Sequence, residues 1–194
     1  YYFSLTDYYD LTLTGEVYSR GGFGLQGRST YKKRYKYSGN IIARYNHTII
    51  GDPRYDDYSS EYINSKDFKF HWDHQQDAKA RPDLRFGASV DLTNPTFNKY
   101  NTVNSGEYLQ NTTTSSISLD KRWLGTPFSM AASANHSQNN ISKNFTLSLP
   151  KVAFTMSRIN PFERRNGVGK KRWYEKIGTN YTGATEAQLR GNYD

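Results

Sequence analysis

Cysteine is absent from this 194-residue chain. That excludes a disulfide scaffold and any thiolate-based zinc or iron–sulfur site. Long apolar runs are absent too. The longest hold three residues, such as Ile41-Ile42-Ala43, whereas a membrane-crossing helix needs roughly 20. The opening residues lack the basic, apolar and small-residue order of a secretory signal. Tyr1 is not an initiator Met, and the chain starts inside an alternating pattern, Tyr1-Tyr2-Phe3-Ser4-Leu5-Thr6, so it reads as an internal piece of a longer protein. Helical periodicity is almost missing. Aromatic residues, in contrast, are plentiful: 17 Tyr, 10 Phe and 3 Trp. Disordered chains are poor in aromatics, so this one folds. Its 26 Lys and Arg exceed its 18 Asp and Glu, for a net charge of +8.

Period two dominates. Leu11, Leu13 and Val17 alternate with Thr12, Thr14 and Glu16, and Tyr37, Gly39, Ile41 and Ala43 alternate with Ser38, Asn40, Ile42 and Arg44. The same alternation runs through 23–31, 67–73, 84–93, 116–120, 128–135, 144–149, 152–157 and 176–181. Successive strand side chains point to opposite faces, so each segment has one apolar and one polar face. About eleven strands follow from this reading.

Connection lengths alternate in much of the chain. Short turns are expected at 7–10, 77–83, 124–127 and 150–151, the last marked by Pro150-Lys151. Long loops are expected at 51–64, 94–109 and 159–172, while the two connections flanking 23–31 both look short. Several strands reach the ~9–11 residues that cross a bilayer, longer than the ~5–6 typical of soluble sheets. Their polar faces carry Ser, Thr, Asn and Gly with interspersed Arg and Lys, which suits a wet lumen. Tyr18, Phe23, Tyr31, Tyr35, Tyr37, Tyr45, Trp72, Trp123, Phe128 and Trp173 lie near strand ends, as in the aromatic girdles of outer-membrane barrels. The fold expected is all-β: an antiparallel transmembrane β-barrel, of which residues 1–194 form part of one domain with no complete boundary inside the chain. Complete bacterial barrels are even-stranded, so the remaining strands would lie elsewhere. A Tyr-rich soluble β-sheet domain is the alternative, since Tyr favours strands in any setting.

Sites for chemistry are few. His71-Trp72-Asp73-His74 with Asp77 is the one cluster resembling a metal site, but His71 and Asp73 share a strand face while His74 takes the other. No metal and no cofactor are expected. Neither a nucleophile elbow nor a phosphate loop is present, and Gly21-Gly22-Phe23-Gly24 enters a strand rather than a helix. The chain is therefore not expected to be an enzyme. The basic runs Lys32-Lys33-Arg34-Tyr35-Lys36-Tyr37 and 163–173 have the interleaved cations and rings that bind single-stranded nucleic acid, but no nucleic-acid-binding signature accompanies them. A membrane rim meeting anionic headgroups is the favoured reading. Asn-x-Ser/Thr triplets such as Asn46-His47-Thr48 and Asn144-Phe145-Thr146 fall within expected strands and reflect composition.

Several stretches together resemble one family. They are Tyr1 to Leu11, Tyr31-Lys32-Lys33-Arg34-Tyr35-Lys36-Tyr37, Ser65-Lys66-Asp67-Phe68-Lys69 and Trp123-Leu124-Gly125-Thr126-Pro127-Phe128. Further on come Asn135-His136-Ser137-Gln138-Asn139, Met156-Ser157-Arg158-Ile159-Asn160-Pro161-Phe162 and Arg172-Trp173-Tyr174-Glu175-Lys176-Ile177-Gly178. In order and spacing this resembles the barrel of the lipopolysaccharide-assembly family LptD, also called OstA, in the form found in Bacteroidetes. The resemblance runs from residue 1 to about 183, and its motifs are structural rather than catalytic.

The resemblance implies an outer-membrane translocon that inserts lipopolysaccharide into the outer leaflet without catalysis. In that family the sugar head crosses a polar lumen and leaves by a lateral gate. The implied partners are lipopolysaccharide, an LptE-like plug lipoprotein, periplasmic jellyroll bridge proteins and outer-membrane lipid. The gate strands and jellyroll domain are expected outside this segment, and the family's disulfide-forming cysteines are missing from it. With apolar positions facing lipid, the lumen-facing candidates are Gln26, Arg28, Asn40, Arg44, Lys69, Arg85, Asp91, Arg122 and Lys176. The lipid-facing candidates are Leu11, Leu13, Val17, Leu25, Ile41, Phe70, Phe86, Ala88, Val90, Leu119, Met130, Leu147, Phe154 and Ile177. The long loops are expected outside the cell and the short turns in the periplasm. Another large outer-membrane barrel, a nutrient receptor or protein-export pore, is the alternative within the membrane class; a soluble β-rich binding domain is the one outside it.

Overall fold

The computed structural model describes residues 1–19, 21–51, 62–101, 106, 111–164 and 172–192. Ten strands follow one another in chain order: β1 (Tyr2–Thr6), β2 (Tyr9–Val17), β3 (Phe23–Lys33), β4 (Tyr37–Ile50), β5 (Ile63–Gln76), β6 (Leu84–Thr93), β7 (Thr112–Arg122), β8 (Phe128–Asn139), β9 (Asn144–Ile159) and β10 (Thr179–Asn192). Each pairs antiparallel with its sequence neighbour, giving a single ten-stranded sheet in the order β1 to β10. A short helix, α1 (Phe97–Asn101), lies between β6 and β7. The described strands form an open sheet, with β1 and β10 each paired on one side only.

The strand count differs from the sequence reading at one place. Residues 144–149 and 152–157 form one strand, β9, that runs through Pro150. Ser133 pairs with Lys151 and Asn135 with Ser148, so Leu149 and Pro150 together oppose Ala134 alone. On the other side Glu186 pairs with Lys151 and Gln188 with Ser148. Pro150 therefore sits in a β-bulge rather than a turn. A bulge leaves its extra residue outside the ladder, which is where a residue without an N–H fits.

That correction changes which connections share an edge. In a ten-stranded meander, the connections 7–8, 34–36, 77–83, 123–127 and 160–178 fall on one edge, here called the first. Connections 18–22, 51–62, 94–111 and 140–143 fall on the second. The long connection after β9 thus lies opposite the other two long ones, not beside them. Parts of the three long loops, 52–61, 102–105 with 107–110, and 165–171, are outside the described residues.

Turn chemistry is local. Gly125, with φ of 76°, takes the left-handed position between β7 and β8, where a side chain costs most. Interior apolar packing is almost missing: among the described residues only Ala88 and Phe97 are buried hydrophobics. The sheet has two faces and no core between them.

Candidate functional site

Directly paired strand residues share a face, so the register sorts the side chains. Gln26, Arg44, Lys69 and Thr93 form one transverse row; Arg28, Ile42, His71 and Asp91 form the next; Thr30, Asn40, Asp73 and Ser89 form the third. Arg85 pairs with Asp120, and Arg122 pairs with Ser129. Gln26, Arg28, Asn40, Arg44, Lys69, Arg85, Asp91 and Arg122 therefore occupy one face, the polar face. Leu11, Leu13, Val17, Leu25, Ile41, Phe70, Phe86, Ala88, Val90, Leu119, Met130, Leu147 and Phe154 occupy the other. Lys176 and Ile177 belong to neither strand face. Lys176 ends a 3-10 turn, Trp173–Lys176, and Ile177 caps it before β10 starts at Thr179. Their apparent alternation with Thr179 comes from the turn, and the Lys176 carbonyl accepts a hydrogen bond from Arg158 at 3.2 Å.

The polar face is built from interlocked charges. Arg44 pairs with Glu16 at 3.4 Å. His71 sits between two carboxylates, with Nδ1 2.7 Å from Asp91 and Nε2 2.6 Å from Asp73. Carboxylates only accept, so both ring nitrogens are placed to donate. His74 lies on the opposite face and joins none of this. Among the described residues no group of three His, Asp or Glu could hold a metal ion.

One feature of this face is not legible in the strand pattern. Residues 94–101 fold back over β4 and β5. Asp67 and Asn46 are fully buried there. Asp67 accepts from the Thr96 hydroxyl, from Asn94 Nδ2 at 2.7 Å and from Asn101 Nδ2 at 2.7 Å. Asn46 donates to Asn101 Oδ1 at 2.7 Å, and Thr48 donates to the same oxygen at 2.8 Å. Phe97, 1% exposed, lies 6.0 Å from the Arg44 guanidinium and 5.9 Å from the Lys69 amine. Gly24 opposes Asn46, and a Cβ there would stand 3.0 Å from Asn46 Oδ1. The signal available in the sequence was Phe97 itself, a large apolar residue in an otherwise polar connection.

Among the described residues nothing covers the apolar face. Leu25 is 56% exposed, Phe68 49%, Leu13 44% and Leu92 42%. Rings gather toward its two edges. Near the first edge, Tyr9 meets Tyr31, and Tyr37, Trp72 and Phe86 meet His74, at centroid distances of 5.2–6.1 Å. Phe154 gathers Trp123, Phe128 and Tyr181 along the same edge, at 5.7–6.5 Å. Near the second, Phe23 meets Tyr45 at 6.0 Å and His47 at 5.7 Å. The polar tips satisfy one another. Trp72 Nε1 donates to the Tyr31 hydroxyl at 2.8 Å, which lies 2.8 Å from His74 Nδ1, and the Tyr9 and Tyr37 hydroxyls are 3.0 Å apart. Gly39 permits this: a Cβ on it would fall within the Tyr31 ring.

The rims carry charge. Lys33 lies 4.8 Å from the Tyr8 ring, and Arg34 4.9 Å from Tyr35. The Asp83 carboxyl, just ahead of β6, is held below the usual carboxylate range, first by its hydrogen bond from Lys121 and then by Arg81. In the connection after β9, Arg164 pairs with Glu175 at 2.7 Å. Residues 165–171 of the second basic run lie outside the described residues. Among the described residues no helix is long and apolar enough to cross a membrane.

The family model described as LptD protein matches residues 1–194, the whole chain. No curated protein matches it.

Proposed function

The chain belongs to the LptD family, with a role in lipopolysaccharide transport or assembly, and from that premise we propose that its ten strands are part of the wall of an outer-membrane translocon barrel. Residues 1–194 lie within one barrel domain. The apolar face meets lipid through Leu11, Leu13, Val17, Leu25, Ile41, Phe70, Phe86, Ala88, Val90, Leu119, Met130, Leu147 and Phe154. The polar face lines a hydrated lumen through Gln26, Arg28, Asn40, Arg44, Lys69, Arg85, Asp91 and Arg122. The lipopolysaccharide head crosses that lumen and leaves by a lateral gate, without catalysis. Its cations attract phosphorylated sugar, and the carboxylates paired with them keep attraction weak enough for release, as conduction requires. An LptE-like lipoprotein and periplasmic jellyroll proteins are the partners.

The observation that carries this reading is the uncovered apolar face with its two ring bands. Phe23 and Tyr31 on β3, and Tyr37 and Tyr45 on β4, bound the apolar stretch. Eight residues separate the members of each pair, or ~27 Å along an extended strand. With the ~40° tilt of barrel strands this becomes ~21 Å, close to the ~25 Å apolar band of such barrels. Patches on soluble monomers reach only a few hundred Å², and this face runs across all ten strands. We assign the second edge to the cell exterior and the first to the periplasm, with the connection 160–178 on the periplasmic side.

The test is affinity purification of the full-length protein from detergent-extracted outer membrane, with mass spectrometry of what accompanies it. A lipoprotein together with lipopolysaccharide is expected. A different surface lipoprotein without lipopolysaccharide would move the protein to nutrient uptake or export, and recovery in the soluble fraction would overturn the membrane reading.

A further inference from the structure

The pairing of β4 with β5 does not need the buried knot around Asp67. β4 and β5 are already paired from Tyr37–Gln76 to Ile50–Ile63, and Asp67 adds nothing to that ladder through its side chain. Its carboxylate is instead wholly enclosed and satisfied by three side-chain donors, all from the segment 94–101. An ionised carboxylate is costly to bury unless its oxygens are well bonded. Here the chain has met that requirement with Asn94, Thr96 and Asn101, which places a short helix across a face that would otherwise be open.

We infer that residues 94–101 form a latched strap that narrows the lumen and limits which solutes cross it. This rests on the polar face being lumenal. Three features point to narrowing rather than to simple loop packing. The strap lies on the polar face, not beyond the strand ends, because Phe97 stands over Arg44 and Lys69, each six residues inside the second-edge ends of β4 at Ile50 and β5 at Ile63. It presents a ring to the row Gln26, Arg44 and Lys69, so it occupies space directly above the cations that a passing anionic sugar would use. It also leaves a cavity of about 440 Å³ beside it, bordered by Arg28, Arg44, Lys69, Asp91 and Asn98, so the strap restricts the face without filling it. The donors to Asp67 are all neutral, so this latch opens by exchanging hydrogen bonds with water. Asp67 is a positioning residue; the strap, seated on the sheet by the buried Phe97 ring, is the obstruction.

This 194-residue segment holds no cysteine, and any cysteine elsewhere in the full-length protein is first replaced by serine. The full-length protein, with its co-purifying partners, is reconstituted in planar bilayers and its ion conductance measured. Asp67→Ala is expected to raise the open conductance several-fold. Asn46→Cys with Asn101→Cys, which removes the 2.7 Å bond between those side chains, is expected to be similarly leaky when reduced. Bridging the two thiols with a short, reducible bis-thiosulfonate reagent is expected to restore the low conductance. A normally inserted Asp67→Ala protein with wild-type conductance would overturn the inference. Where that variant fails to insert, the cysteine pair decides, and equal conductance with and without the bridge overturns it. A wild-type protein that does not insert at all would instead remove the barrel reading on which the strap depends.

Discussion

Ala43→Arg and Ala131→Arg make the same chemical change on opposite faces. Ala43 is exposed on the apolar face, paired with Gly27 and Phe70 near the midpoint between the two ring bands. Ala131 is exposed on the polar face, paired with Asp120 and Ala153. Hydropathy and helix or strand propensity cannot separate them, because the residues exchanged are identical. A lipid-facing Arg near the bilayer midplane costs about 2–4 kcal/mol, which is about 30- to 700-fold in the folding equilibrium. A lumenal Arg stays in water, and beside Asp120 it gains or loses no more than ~1 kcal/mol. The assay is urea unfolding of the full-length protein in phosphatidylcholine vesicles, scored by heat-modifiable migration. Ala43→Arg is expected to shift the midpoint strongly and Ala131→Arg hardly at all. Equal losses, or a larger loss for Ala131→Arg, would refute the assignment of faces.

Gly39→Ala forces a Cβ into the Tyr31 ring and separates that hydroxyl from Trp72 and His74. It should cost about 1–3 kcal/mol, with the part due to the ring recovered in a Tyr31→Ala background and the clash with the Asp73 carbonyl oxygen, 2.5 Å from the same Cβ, remaining; a cost unchanged in that background would contradict the ring's part in it. Asp83, whose carboxyl is held below the usual range by Lys121, contributes stability that is complete above the unfolded value of about 3.9. That contribution is lost as pH falls through the lower folded value. The stability gap between wild type and Asp83→Asn should therefore be constant above about pH 4 and close on further acidification, and a gap that widens in acid would count against it. Bromine-labelled lipid should quench Trp72, which stands on the apolar face, far more than Trp173, which is 78% exposed in the connection after β9. Single-tryptophan variants read this by fluorescence, and equal quenching would deny that the apolar face meets lipid.

The division into faces was legible because period two is a local property. Each of β2 to β8 states its own phase, and antiparallel pairing with neighbours of the same phase leaves no choice of face. Arg44 and Lys69 could be placed together without knowing the register. What failed was local in a different sense. Ile177 and Lys176 alternate like strand residues, but Trp173 to Lys176 closes into a turn through the Glu175 amide to the Arg172 carbonyl at 3.1 Å, a choice no alternation reveals. The strap was invisible because its partners, Asp67 and Asn46, lie some thirty to fifty residues away and read in sequence as ordinary polar strand positions.

Pro150 is the most instructive misreading, because the same residues carry two opposite meanings. Leu147 and Phe154 are seven positions apart, an odd spacing that puts residues of one regular strand on opposite faces. A turn between them resolves the conflict by ending the strand. The bulge resolves it by absorbing one residue, after which Leu147 pairs with His136 and Phe154 with Met130, and the two share a face. Without the extra residue, Lys151, Ala153 and Thr155 would move to the apolar side and Phe154 to the polar side, exchanging half of β9. Both neighbours accept the bulge at the same level, β8 at Ala134 and β10 at Ala187. Two alanines facing Leu149 and Pro150 leave room for the doubled residue. The phase break was in the sequence; deciding between a turn and a bulge required the strands on either side.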